Sequence, residues 1–517
     1  MNRDESLRSS NEPWFSRRDL FGGGISLAGA CAFGWPRIGN ATPGEPGAAG
    51  SSVTLVASQS VDTRIGKLSF ERGLPTENTV AILFDAFDFQ RACAAYVWGL
   101  PLVGMATFQR AHYKTFGGKD GDIVKYETYR DKLGILTPNA TTPYLISFVD
   151  LARTGPLVID LPAGRNAGGV CDFWQHGVVE MGEMGPDKGK GGKYLIVGPG
   201  QTEPPDTPSA VVARSPTNNI WPAFRSLDPD PAKSRQWIEK VRIYPFSQRE
   251  HPPDQNFLTP GGKRWLQAQP RGLEYWALLS DIINQEPVQE RDRIMMATLK
   301  PLGIEKDKPF QPDERQKKIL VDAAFVGEAM AKANSFDKRF AGSLYRPETH
   351  WDYVIAVDWT AETKFFRQTD ELSAYTYEAS GTGPGMVTKT PGVGQAYLAT
   401  YRSKDGHAFD GAKTYRLHVP PDSPAKNFWS VTLYDLDTRT YIDNKEEIAD
   451  RSSRADLSKN ADGSVDLYFG PKAPAGLEKN WIPTLPGKAW FAYFRLYGPT
   501  DAYFDKSWLL PDIDAVT

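Results

Sequence analysis

The strand-like runs of this chain are short, and that limits its fold more than any other feature. Residues 414–419, 428–434, 465–469 and 490–496 are rich in β-branched or aromatic side chains and end at turn residues. Runs of that length and spacing close into packed antiparallel sheets, so the last 120 or so residues predict a β-sandwich or jelly roll. The 47 Gly and 40 Pro of the 517 residues are about one residue in six against a usual one in eight. Turns and irregular connections are therefore favoured over a helical bundle, and the expected fold class is α+β, mainly β.

A chain this long exceeds one hydrophobic core and predicts two or three units. Residues 75–225 read as a β-rich domain, 226–340 as a helical insert, 341–394 as an irregular connecting segment and 395–517 as the sandwich. The β-rich part opens on an amphipathic helix over 76–98, with Val80, Leu83, Phe84, Phe87, Ala94 and Val97 at helical spacing and Pro101 just beyond. Strands follow at 144–149 and 157–161, then near 173–180 and 193–197, and residues 185–193 read as a hairpin loop. Residues 200–209 form a Pro-rich loop.

The first 41 residues read as a targeting segment, because Ser16-Arg17-Arg18-Asp19-Leu20-Phe21 sets an arginine pair before the uncharged stretch 20–36. That is the logic of a twin-arginine signal, with a small-residue cleavage site at Gly39-Asn40-Ala41 and a flexible segment at 42–74. The expected location is the periplasm; the alternative is a lipoprotein tethered through Cys31, in Leu27-Ala28-Gly29-Ala30-Cys31. No other uncharged run is long enough to span a bilayer, so no integral membrane insertion is expected. Cys93 and Cys171 permit at most one disulfide. With 60 Lys and Arg against 63 Asp and Glu and no basic block, nothing supplies the field that nucleic-acid binding requires.

Leu136-Thr137-Pro138-Asn139-Ala140-Thr141-Thr142-Pro143-Tyr144, with Asp150-Leu151 and Gly155-Pro156-Leu157-Val158-Ile159, resembles the hallmark of the bacterial DUF1254 family. Phe428-Trp429-Ser430-Val431-Thr432-Leu433-Tyr434-Asp435 and Trp481-Ile482-Pro483-Thr484-Leu485-Pro486-Gly487-Lys488, with Arg495-Leu496-Tyr497 and Ser507-Trp508, look like its usual companion, DUF1214. The resemblance covers most of 75–515. It implies a β-rich N-terminal part, a helical insert and a C-terminal sandwich in an exported protein, and it brings little chemistry. The chain departs from the family at Thr141, where the pattern Asn-x-Asp-Thr-x-Tyr has Asp.

The strongest local constellation is Cys171-Asp172-Phe173-Trp174-Gln175-His176-Gly177-Val178-Val179-Glu180. A strand would put Asp172, Trp174, His176 and Glu180 on one face, and a helix would keep Asp172, His176 and Glu180 together. An imidazole between carboxylates can serve as a general base, with Asp172 and Glu180 as orienting or acid partners. The same three could hold a divalent metal, the one cofactor the sequence brings to mind. Against this stands the plain reading of a solvated strand face. Asn139, Thr142 and Tyr144, with Trp174, Arg225 and Arg495, form the candidate ligand-binding set. Here the alternatives are a turn capped by its own side chains and arginines spent in structural ion pairs.

Other chemistries lack their signatures. The six histidines include no His-Glu-x-x-His, which excludes a zincin, and there is no Gly-x-Ser-x-Gly elbow, Walker loop or Rossmann glycine pattern. The expected function is an exported enzyme that hydrolyses, or eliminates from, a small or oligomeric organic substrate in an inter-domain cleft. The alternative is a non-catalytic periplasmic ligand-binding or cell-envelope protein. A homo-oligomer stays open.

Overall fold

The structure is a computed structural model that describes residues 58–204, 210–387 and 389–516. The arginine pair, the stretch 20–36, the cleavage site, Cys31 and part of the Pro-rich loop lie outside the described residues. The fold is α+β, with two pairs of packed sheets and a helical layer. A further three-stranded sheet, Ser58–Thr63, Gly66–Glu71 and Leu74–Pro75, corrects the flexible segment expected over 42–74, as far as that segment is described.

The C-terminal runs form a sandwich. One sheet runs in the order Asp352–Tyr353, Gln395–Thr400, Ala489–Pro499, Ala425–Asp435, Asp450–Ser452, and the other in the order Trp481–Pro483, Val465–Gly470, Tyr415–Val419, Asp514–Ala515. Trp490, Ala492, Phe494 and Leu496 point into the core between the sheets, against Leu417, Val431 and Leu467. Strand alternation then sends Phe491, Tyr493, Arg495 and Tyr497 to the outer face.

The N-terminal part is also built from two sheets. The larger has the order Phe257–Leu258, Ile123–Tyr126, Tyr144–Ile146, Asn219–Ser226, Asn166–Asp172, Gly177–Gly182; the smaller has Val211–Arg214, Gly192–Val197, Leu157–Leu161, Arg242–Pro245. Ile220 and Phe224 fill the core between them. The segment 183–191 carries the chain from one sheet to the other, so it is a crossover and not the hairpin loop its glycines suggested.

Helices cover the other face of the larger sheet. The helix Glu77–Arg110 starts on Thr76, whose hydroxyl accepts the Thr79 N–H, and runs on past residue 98 through Pro101. A proline normally ends a helix. Here residues 99–106 are all buried, the helix being packed by Leu273–Gln285, Thr369–Glu378 and Glu314–Phe336, and burial outweighs the lost bond. Gly327 lets the last of these approach: a Cβ there would stand 2.5 Å from the Tyr96 ring. Among the described residues one helical stretch, Glu77–Thr115, is long and apolar enough to cross a bilayer by length and composition, and most of its apolar window is buried inside the protein.

The segment 341–394 is less irregular than its composition predicts. It contains the helix Thr369–Glu378, buried on every face from Leu372 onward. A helix covered all round shows no amphipathic period, and so the sequence pattern does not betray it. Cys93 and Cys171 are both free thiols.

Candidate functional site

A cavity of about 430 Å³ separates the larger N-terminal sheet from the outer face of the C-terminal sandwich, and the segment 379–395 closes one side. Its floor is open because the strands below carry small residues: Ala167, Gly169 and Cys171 stand opposite Arg225, Ala223 and Trp221. Phe108, Ile135, Ile146 and Trp221 make one wall apolar, and Tyr144, Tyr375, Tyr397, Tyr493 and Tyr497 line much of the rest.

Asn139, Thr142, Tyr144, Arg225 and Arg495 all line this cavity. The Asn139 amide oxygen accepts the Thr142 N–H at 2.9 Å and the Thr142 hydroxyl at 3.1 Å, so these two do cap their own turn. That turn in turn positions Tyr144, whose Oη accepts the Asn139 N–H and the Asn139 Nδ2–H, each at 2.9 Å. Two donors occupy the phenol oxygen and leave its own proton to be donated. The buried Lys132 ammonium ties the loop from behind, donating to the Thr142 carbonyl at 2.8 Å and the Asn139 carbonyl at 3.2 Å. Burial lowers its pKa to about 8.

The two arginines come from opposite sheets. Arg225 is half-buried and bonds to neutral groups, at 3.5 Å to Gln395 Oε1 and also to Tyr397. Arg495 is 3% exposed and donates to Thr432 Oγ1 at 3.0 Å and the Thr137 carbonyl at 2.8 Å. Neither has a carboxylate within 4.0 Å among the described residues. Arg454, stacked on Phe428 at 3.8 Å, adds a third cation to the lining that has no ion-pair partner among the described residues. The lining holds four arginines (165, 225, 454 and 495) against Glu180 and Glu183, and Glu183 is taken by Arg165 at 2.8 Å. Sequence reading missed Tyr397, Tyr497 and Arg454. The signal for Tyr497 was in the run 491, 493, 495, 497, whose alternate residues share the outer face with Arg495.

The trio Asp172, His176 and Glu180 does not come together, which corrects the expected catalytic centre. The chain reverses at Phe173–Gln175, with Gln175 at φ +69°, so the segment is neither one strand nor one helix. Asp172 accepts the His176 N–H at 2.8 Å and pairs with Nδ1 at 3.2 Å, fastening the turn. Nε2 faces the Arg367 guanidinium at 3.2 Å. Since guanidinium only donates, Nε2 is the acceptor and Nδ1 carries the proton. Both ring nitrogens are therefore committed, and the crevice around them holds only about 20 Å³. Trp174 borders that crevice too, against Trp98, and not the large cavity, which corrects its place in the ligand set.

Glu180 stands opposite Gly169 and takes the cavity face, where Oε1 accepts the Gly385 N–H at 2.8 Å. Burial raises its pKa, against the lowering effects of that N–H and Lys188. Among the described residues no group of three or more His, Cys, Asp or Glu side chains could hold a metal ion. The divalent metal read onto Asp172, His176 and Glu180 thus lacks its ligand set. Three other histidines likewise pair with aspartates, His350 with Asp512, His407 with Asp405 and His418 with Asp466.

Residues 123–245 match the family model of a protein of unknown function, DUF1254, and residues 394–501 that of another, DUF1214. No curated protein matches the sequence. Of solved structures, the VPA0106 protein from Vibrio parahaemolyticus is similar, at 17% identity and a TM-score of 0.53 over 83% of this chain and 100% of that one. An uncharacterized protein from Burkholderia cenocepacia is 11% identical, with a TM-score of 0.41 over 84% of this chain and 96% of that one. The likeness to the Vibrio protein is one of fold.

Proposed function

We propose that this protein binds an organic anion in the cavity between its two β-units, with the guanidinium groups of Arg225 and Arg495 as the anchoring pair. One observation carries the reading: two always-charged side chains line one cavity, and among the described residues neither has a carboxylate within 4.0 Å, the buried Asp450 acting on Arg495 only from beyond that distance. Taking a charge out of water without a partner costs several kcal/mol. A bound carboxylate or phosphate would offset that cost and accept the hydrogen bonds that guanidinium is shaped to give. Tyr144 and Tyr497 support it from the sides, the first with an uncommitted O–H and the second with a buried hydroxyl that has no hydrogen-bond partner among the described residues. The apolar wall fits the hydrocarbon body of such a ligand.

The ligand-binding reading takes precedence over hydrolysis or elimination because the imidazole meant to act as base has no free nitrogen. The test is a thermal-shift and calorimetric comparison of organic carboxylates with their neutral amides. Carboxylates should raise Tm with concentration and amides should not; equal effects, or none from either, overturn the proposal. For the place of action we propose the periplasm, which the arginine pair at 17 and 18 ahead of residues 20–36 supports. A reporter fused to residues 1–41 should be exported, and replacing both arginines by Lys should stop it. Export that survives the replacement would sink the twin-arginine reading.

A further inference from the structure

Building on the anion reading above, we infer that the ligand is a free fatty-acid-type monocarboxylate whose alkyl chain lies along the strand Asn219–Ser226, from Arg225 to Trp221. Alternate residues of this strand serve two cores. Ile220 and Phe224 go to the inter-sheet core, whereas Trp221, Ala223 and Arg225 line the cavity. At 3.3 Å per residue the four steps from Arg225 to Trp221 make a trough of roughly 13 Å.

The neighbouring strand repeats the gradient in register. Ala167 stands opposite Arg225, Gly169 opposite Ala223 and Cys171 opposite Trp221. The floor therefore has a cation at one end, small apolar residues in the middle and an indole at the far end. Phe108, 6.4 Å from the Trp221 ring, extends the apolar surface at that far end, and Ile146, opposite Ala223, extends it beside the middle. A short polar acid would leave this apolar surface without a partner. Glu180, opposite Gly169, edges the trough with Oε1 already accepting the Gly385 N–H, and a ligand polar along its whole length would still lie over Ala223, Gly169 and Ala167, whose side chains offer no hydrogen bond. A narrow hydrocarbon ending in one carboxylate matches the floor from Arg225 to the six-membered ring of Trp221, whose Nε1–H is buried without a hydrogen-bond partner among the described residues.

The test is calorimetry on the purified protein with straight-chain saturated acids from acetate to dodecanoate. Affinity should rise roughly fourfold per added methylene and then level off once the chain reaches Trp221. Ala223→Leu, which fills the middle of the floor, should abolish the gain for longer acids and keep the affinity for acetate and propionate. Should the leucine prevent folding, Ala223→Ser makes the same test by adding one oxygen, and it should flatten the dependence on length. An affinity independent of chain length, or long-chain binding unaffected by either substitution, overturns this inference and leaves the anion reading standing. If no acid of any length binds, the anion reading fails first and this inference with it.

Discussion

Arg225 and Tyr144 stand directly opposite each other on neighbouring strands, with the guanidinium carbon 5.8 Å from the ring centroid. Arg495 and Tyr397 repeat the arrangement on the other side of the cavity, again as cross-strand partners and again at 5.8 Å. Each sheet thus contributes one cation beside a cross-strand phenol ring, and Arg495 has two more, Tyr434 at 5.7 Å and Tyr493 at 5.0 Å. A ring face eases the burial of a guanidinium by about 1–2 kcal/mol, which is less than desolvation takes, and it leaves the charge unneutralised. Two such cations converging on one cavity are a costly arrangement for a purely structural role.

Arg225 offers the cleanest separation of stability from binding, because its hydrogen bonds run to the neutral groups of Gln395 and Tyr397. Arg225→Met keeps most of the volume and removes the charge. Without a ligand, Tm should stay the same or rise, since removing a half-buried charge that has no ion-pair partner among the described residues relieves its desolvation. Carboxylate affinity should fall roughly 10- to 100-fold, the worth of a hydrogen bond to a charged group. Thermal denaturation and titration calorimetry on one preparation check this. A large drop in Tm with unchanged affinity would make Arg225 structural.

The Asp172–His176 pair should behave in the opposite way. It fastens the reversal at Phe173–Gln175 and lies apart from the cavity. Asp172→Ala frees the His176 N–H inside the protein and should destabilise it by about 1–3 kcal/mol. His176→Ala should also destabilise. Neither should shift ligand affinity more than twofold. Urea denaturation and calorimetry decide, and a tenfold loss of affinity in a folded His176→Ala protein would return the histidine to the site.

What the sequence disclosed follows from how local each feature is. The C-terminal strands were legible because alternation within 415–419 or 490–496 is local, and it sorts Phe494 and Leu496 from Arg495 unaided. The helix Thr369–Glu378 was not, since a helix buried on all faces has no period to detect. Gln175 concealed the turn after Asp172, because a left-handed residue is usually announced by Gly or Asn. In the site, Arg225 and Arg495 each stand out as charges within apolar runs. Their convergence depends on how two sheets pack, and no pattern in either strand encodes that.

The strap that closes the cavity meets the floor at Gly381. Its φ is +68°, and a Cβ there would lie 2.2 Å from Cζ3 of Trp221. Its N–H is held by Gln175 Oε1 at 2.9 Å and its carbonyl by the Tyr375 hydroxyl at 2.8 Å, so the backbone cannot move aside cheaply. Gly381→Ala should therefore cost about 1–3 kcal/mol of stability from the left-handed conformation alone and should push the indole out of place. Denaturant unfolding checks the first, and a fall in affinity for octanoate larger than for acetate checks the second. A stability within 0.5 kcal/mol of wild type, about the scatter of neutral substitutions, would refute the close approach.

Glu378 gives a pH dependence of definite sign. Its carboxyl group is wholly buried, accepts from the Tyr401 hydroxyl at 2.8 and 3.0 Å, and is raised by burial to about 7, against the lowering influence of Lys338. The unfolded chain would hold the same proton with an ordinary carboxyl pKa near 4.3. The folded state therefore binds the proton more tightly. The stability this provides is fully present below about pH 4 and is lost as pH rises to about 7 and beyond. Glu378→Gln stays neutral throughout and has no such slope. The stability of the glutamine protein relative to wild type should accordingly climb between pH 4 and pH 7.5 by up to about 3 kcal/mol. Glu286, Asp352 and Asp450 are also raised by burial, to about 7, 6 and 6, but they titrate alike in both proteins and cancel in the difference. Urea midpoints at five pH values give the curve. Parallel lines would mean that Glu378 is ionised in the fold at every pH tested, held by Lys338 more strongly than burial opposes it.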